Sequence, residues 1–262
     1  MPEPADARLA VLIDADNTSA RHADALLEEL ARYGVPTVKR AYGDWTTQNL
    51  VKWKAELNRH AIQPVQQFAY TTGKNSTDSA LIIDAMDLLY TGRLDAFAIV
   101  SSDSDFTRLA TRLRESGVTV YGLGQRKTPE SFRAACDTFI YLEVIGSGPA
   151  ESDDDAGSDE PAPPPLPDLR RLLTRAVNQT SGDDGWASMS TVGNYLAKVN
   201  ASFDPRNYGS AKLSTLAKAQ DYLEVKGGTG SAPMRVRLKP AKQTSRTSAT
   251  KKAAKKAEAQ RS

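Results

Sequence analysis

Residues 10–17 read Ala10-Val11-Leu12-Ile13-Asp14-Ala15-Asp16-Asn17, and residues 97–105 read Phe97-Ala98-Ile99-Val100-Ser101-Ser102-Asp103-Ser104-Asp105. Each is a short apolar run, rich in β-branched side chains, that ends directly in acids, which is the pattern of a buried strand leading into a polar loop. Similar runs cover 9–13, 36–42, 62–70, 96–101, 118–123 and 138–145. Between them, 23–32, 50–58, 78–90, 106–115 and 130–136 repeat apolar residues at helical spacing, as Leu26, Leu27 and Leu30 do in the first. Gly34 and Gly117 follow the first and fourth helices, where a left-handed residue commonly ends a helix. Alternating strands and helices predict an α/β fold, a parallel sheet covered by helices on both faces. Function in such sheets sits beyond the strand C-termini, where the strand order reverses.

The composition excludes several classes. The chain has 262 residues, 40% hydrophobic and 25% charged, with one cysteine and two histidines. Cys136 alone cannot form an internal disulfide or a cysteine-rich zinc site, and His22 and His60 rebuild no zinc ligand set and read as surface residues. No apolar run approaches the ~20 residues of a membrane span, and the first ten residues lack the basic and apolar regions of a signal peptide, so a cytoplasmic protein without membrane contact is expected. The length suits one or two domains.

A formal net charge of +2 hides an asymmetry. Residues 1–150 are slightly acidic, 151–168 hold seven acids and no lysine or arginine, and everything after 168 is basic, including a lysine-rich tail. The acidic, Pro-rich stretch cannot bury enough apolar surface to offset ordering entropy and reads as a disordered linker. The expected division is a first domain over 1–148, a linker over 149–165, a second domain over 166–240 and a disordered tail over 241–262. Basic character in the last third suits a polyanion, although lysine-rich tails also serve only solubility.

If the strands ending at Asp14 and near Asp103 are neighbours, their axes lie ~5 Å apart and the two carboxylates can face each other. Such a pair repels unless a divalent cation intervenes, and carboxylates with an Asn side chain are the hard oxygen donors that Mg²⁺ or Mn²⁺ prefers. Asp78 should fall in the first turn of the third helix at the same sheet edge. The candidate metal set is therefore Asp14, Asn17, Asp78, Asp103 and Asp105. Individually each has a plainer role: Asp78 complementing a helix dipole, Asp103 or Asp105 capping the fourth helix, Asp16 or Asn17 shaping a turn. Asp84, six residues beyond Asp78, turns away from that helix face.

The runs IDADN, GKNSTDSALIIDAM and IVSSDSDF, the last followed by a helix and GVTVYGLG, appear in that order over residues 8 to about 145. This arrangement resembles the NYN domain, a branch of the PIN-like ribonuclease superfamily. The resemblance implies a three-layer α/β/α sandwich and metal-dependent cleavage of RNA phosphodiesters, with Asp14, Asp78, Asp103 and Asp105 as the catalytic residues, Asn17 beside them and Mg²⁺ or Mn²⁺ as cofactor. Family motifs often carry another acid in the third helix, which falls on Asp84. Endonucleolytic action is the expected mode. Lys39, Arg40, Lys74 and Arg108 are candidates for RNA backbone contacts, and Tyr42 or Trp45 for stacking a base.

Residues 166–240 read as three short helices and a hairpin around GGTGSAP, a winged helix-turn-helix pattern. The stretches DGWASMSTVGNYLAKVN, FDPRNYG and AKLSTLAKAQDYLEV resemble the OST-HTH, or LOTUS, domain, which implies binding of single-stranded or structured RNA or docking of a protein partner. Arg206, Lys212, Lys218, Arg235 and Arg237 are its candidate phosphate contacts. Trp186 and Tyr208 read as core residues. Two other functions fit parts of the sequence. VLIDADNTS also suits a haloacid-dehalogenase-like phosphatase, with Asp14 as nucleophile and Asp16 as general acid. A non-catalytic RNA-binding or scaffold protein would need only the basic second half.

Overall fold

The computed structural model describes residues 6–68, 76–145, 165–227 and 233–239. Lys74, the acidic segment up to residue 164 and the basic tail lie outside the described residues. Among the described residues, β1 (Arg8–Asp14), β2 (Val35–Gly43), β3 (Gln63–Gln66), β4 (Ala96–Val100), β5 (Thr119–Gly124) and β6 (Thr138–Tyr141) form one parallel sheet in the order β3-β2-β1-β4-β5-β6. The order runs outward in opposite directions from β1 and β4, so the reversal lies between the two strands that end in acids. Their register pairs Leu9 with Ala96 and Ile13 with Val100.

Period-two alternation in β1 divides its apolar residues between two layers. Leu9, Val11 and Ile13 pack with α1 (Ala23–Leu30) and α2 (Trp53–His60) on one face. Ala10 and Leu12 pack with α3 (Ser76–Tyr90), α4 (Thr107–Glu115) and α5 (Glu130–Ala135) on the other. The fold is thus the expected helix–sheet–helix sandwich. By the same alternation Asp14 belongs to the α3–α4 side. No described helix is long and apolar enough to cross a membrane.

Gly117 has φ +83° at the end of α4, the left-handed conformation a glycine there supplies. Gly34 does not adopt it. A Cβ at Gly34 would lie 2.4 Å from the Ala7 carbonyl oxygen, so its smallness serves a close approach of two chain segments. His60 is no free surface residue either, because its ring lies 3.2 Å from the Glu56 carboxylate and is largely covered.

The second unit holds α6 (Leu169–Thr180), α7 (Met189–Val199) and α8 (Leu213–Lys218) over an antiparallel sheet of β7 (Ala187–Ser188), β8 (Leu223–Lys226) and β9 (Arg235–Leu238), ordered β7-β9-β8. Asp168 and Ser188 cap α6 and α7 by accepting the backbone N–H of Arg171 and Thr191. Leu173, Val177, Val192, Leu196, Leu223 and Val236 form its core. Trp186 and Tyr208 stand outside that core, contrary to the sequence reading. Trp186 lies under Arg237 and Lys226 at the sheet, and Tyr208 donates its hydroxyl to the Pro167 carbonyl.

The two units touch. Phe139 on the edge strand β6 donates its N–H to the Ala201 carbonyl at 2.8 Å. Arg206 donates through both terminal nitrogens to Glu29 of α1, at 2.9 and 2.8 Å, while also holding Asp204. Glu29 is only 6% exposed. Arg206, expected to meet RNA phosphate, is a docking residue here, because a bidentate carboxylate partner consumes its planar donor face.

Candidate functional site

Asp14 ends β1 fully buried, its carboxylate held from two directions. Asn17 donates its side-chain amide to Oδ2 at 2.9 Å and its backbone N–H to Oδ1 at 3.3 Å. Ser101, just past β4, donates its hydroxyl to Oδ2 at 2.7 Å and accepts the Asp103 N–H at 3.1 Å. One buried hydroxyl therefore ties the acid of β1 to the acid loop after β4. Gly124 makes room beside it, since a Cβ there would meet the Ser101 carbonyl oxygen at 2.5 Å.

Asp78 lies buried in the first turn of α3. Each of Asp78, Asp103 and Asp105 offers one carboxylate oxygen, all within 4.8 Å of one another. Asp103 does two things at once: it accepts the Asp105 N–H at 2.9 Å as cap of the short 3-10 turn at 104–106, and it takes part in this trio. Asp14 stands behind the trio, near enough that its charge is the strongest neighbouring influence on Asp78.

Burial, and then the charges of Asp14, Asp103, Asp105 and Asp16, push the Asp78 carboxyl up to about 6. Burial also raises Asp14, against the lowering effect of its bonds from Asn17 and Ser101. None of Asp14, Asp16, Asp78 and Asp103 forms an ion pair with a lysine or arginine among the described residues. Hard oxygen donors crowded together in this way fit a divalent cation.

Two residues have roles here that the sequence reading did not assign. Asp16 accepts the Thr77 hydroxyl at 2.9 Å and so fastens the loop after β1 to the start of α3, a role its two-residue spacing from Asp14 could have suggested. Ser101 lacked any signal, because a serine at a strand end is common. Asp84 lies apart from the acids, as its helix position predicted: it binds Arg40 and the Tyr42 hydroxyl.

That contact corrects several expectations about RNA contacts. Tyr42 is fully buried, so no base can stack on it, and Arg40 is spent on Asp84. Lys39 donates to the His60 carbonyl, and the Trp45 indole donates to the Val65 carbonyl at 3.0 Å with its ring partly packed on the core. Arg235 is paired with Asp184, and Arg237 with Glu224. Arg108 is exposed at the start of α4, and Lys212 and Lys218 are exposed at the two ends of α8. Arg171 and Arg175 of α6, unnoticed in the sequence, are exposed as well.

Comparison with known proteins follows the two units. The model of the NYN domain matches residues 8–143, and that of the OST-HTH/LOTUS domain matches residues 164–234. No curated protein matches the chain. Among solved structures, a protein of unknown function from Vibrio parahaemolyticus is 16% identical, with TM-score 0.46, over 54% of this chain and 96% of its own. An uncharacterized protein from Nitrosomonas europaea is 33% identical over 34% of this chain and 93% of its own, with TM-score 0.26. A protein from Chromobacterium violaceum is 36% identical over 31% and 92%, with TM-score 0.24. With its parallel sheet, its acids at the strand reversal and a family match over just more than half its length, the chain belongs to the NYN domain family and carries an OST-HTH/LOTUS domain after it.

Proposed function

We propose that the protein is a metal-dependent ribonuclease that cleaves internal phosphodiesters of RNA, with the second domain contributing RNA affinity. The observation that carries this reading is the Asp78–Asp103–Asp105 trio at the sheet reversal, backed by Asp14, with no cationic partner for Asp78 among the described residues. Asp78, Asp103 and Asp105 would hold Mg²⁺ or Mn²⁺, with Asp14 and Asn17 behind them. When bound, such an ion supplies an activated water and neutralises charge on the transferring phosphoryl group.

The chain's own groups supply the geometry. Ser101 fixes Asp14 against the Asp103 loop, and Thr77 fixes Asp16 against α3, so the carboxylates need no reorganisation when substrate arrives. Asp16 and Asp105 are exposed at the sheet edge, where an RNA chain can lie across the acids without a free end. Arg108, three residues beyond Asp105, is placed to meet a phosphate. On the second domain Lys212 and Lys218 remain as phosphate contacts. Full burial of Asp14, with both oxygens hydrogen-bonded, suits a supporting acid better than a covalent phosphatase nucleophile.

The test is incubation with linear and circular single-stranded RNA in Mn²⁺ or Mg²⁺, beside EDTA, Asp14→Asn and a phosphomonoester. Opening of the circle, lost in EDTA and reduced at least about a hundredfold in the variant, is the expected result. Phosphate release without RNA cleavage would replace the reading by the phosphatase.

A further inference from the structure

Beside the acids, on the side of the sheet away from α3, lies a cavity of about 870 Å³. Its walls are the loop after β1, the 48–53 segment that leads into α2, and the loops after β4 and β5, so Asp103 and Asn17 border both the acid site and the cavity. Buried Leu50 and Trp53 contribute to its lining. Gln48, Asn49 and Gln125 also line it, and none of these three side-chain amides has a hydrogen-bond partner among the described residues. Lys52, exposed and unpaired among the described residues, stands at the same wall.

We infer that this cavity seats the unpaired base of a nucleotide next to the scissile phosphate, and that Gln48, Asn49 and Gln125 read its edge. The inference rests on the ribonuclease reading and adds a substrate preference to it. Each amide presents a donor beside an acceptor, the arrangement that pairs bidentately with adenine. The volume falls in the range of about 300–1,000 Å³ that encloses small molecules, which admits one base but not a duplex. Bases within a duplex are stacked and paired, so only a splayed, single-stranded nucleotide can enter. The shared border with Asp103 sets the neighbouring phosphate toward the acids, and Lys52 can meet the next phosphate along the chain.

The experiment measures binding of the full-length protein, in EDTA, to four fluorescent RNA pentamers that are uridine except for a varied central base. The adenine-centred pentamer is expected to bind about tenfold more tightly than the uridine-centred one. Gln48→Ala/Asn49→Ala/Gln125→Ala should bring the four affinities together. If that triple variant fails to melt cooperatively, Gln48→Ala/Asn49→Ala changes only exposed side chains and should still narrow the preference. Equal affinities in the unaltered protein, or a preference that survives the substitutions, would overturn the inference. The parallel cleavage assay separates the two ideas: base discrimination without cleavage sinks the ribonuclease and keeps the subsite, whereas cleavage without discrimination does the reverse.

Discussion

Replacing Asp78 by Asn should make the metal-free protein more stable. In the folded chain this carboxyl is held near 6, against 3.8 when unperturbed, because it is buried among four other acids. The folded state therefore binds its proton more tightly than the unfolded state does, and stability falls as pH rises from about 4 to about 6 and stays low above that. Unscreened, that difference corresponds to about 3 kcal/mol at neutral pH; solvent at the half-open site reduces it to about 1–2 kcal/mol. Asn has the same shape and no charge. At pH 7.5 in EDTA, Asp78→Asn should raise the melting temperature by about 2–8 °C. Divalent cation reverses the order. At a hundred times its dissociation constant the ion adds about 2.7 kcal/mol to the unaltered protein and less to the variant. Calorimetric melts at pH 4.5 and 7.5, with EDTA and with Mn²⁺, read all four conditions. A variant that melts at or below the unaltered protein in EDTA at pH 7.5, or an unaltered protein that gains nothing from Mn²⁺, would refute the argument that these acids are held together for a cation.

Three further outcomes separate positions that look alike in the sequence. Asp84→Ala, which strips Arg40 and Tyr42 of their partner, should cost about 1–2 kcal/mol in urea unfolding yet leave RNA cleavage within about threefold, whereas loss of activity in a folded variant would move Asp84 into the site. Arg206→Ala should cost about 1–3 kcal/mol and loosen the second domain, seen as faster proteolysis between the domains, because Glu29 keeps only Arg32 and Tyr33; unchanged digestion would deny the docking role. Lys212→Ala/Lys218→Ala should reduce the salt dependence of RNA binding by about two phosphate contacts, while Arg235→Ala/Arg237→Ala, whose cations are already paired, should change it less.

Where the molecule followed its sequence, a local rule decided the outcome. Apolar runs at strand length alternating with helical repeats define the sheet and its two helical layers, because side-chain period is a property of the backbone. The strands that end in acids could be read the same way, and so could the orientation of Asp84, since a six-residue step on a helix is fixed by 3.6 residues per turn. Asp78, Asp103 and Asp105 were legible as acids at one sheet edge. That they share a site with Asp14 was expected too, but that Asp14 stands behind the other three, tied to their loop through Ser101, was not.

Charge misled where it was read one residue at a time. Arg40, Arg206, Arg235 and Arg237 are indistinguishable in the sequence from cations free to meet RNA, yet each is committed to a carboxylate, three of them far along the chain: Arg40 to Asp84, Arg206 to Glu29 and Arg235 to Asp184. Tyr42 reads as an edge aromatic and lies wholly inside, because β2 is covered by α3 at that point. By itself the sequence determined the elements, their alternation and the family, all of which follow from local periodicity and short motifs. Tertiary structure alone decided which charges are paired, how the acids are arranged within their site and where a cavity opens, because those depend on distances between segments that no local pattern specifies.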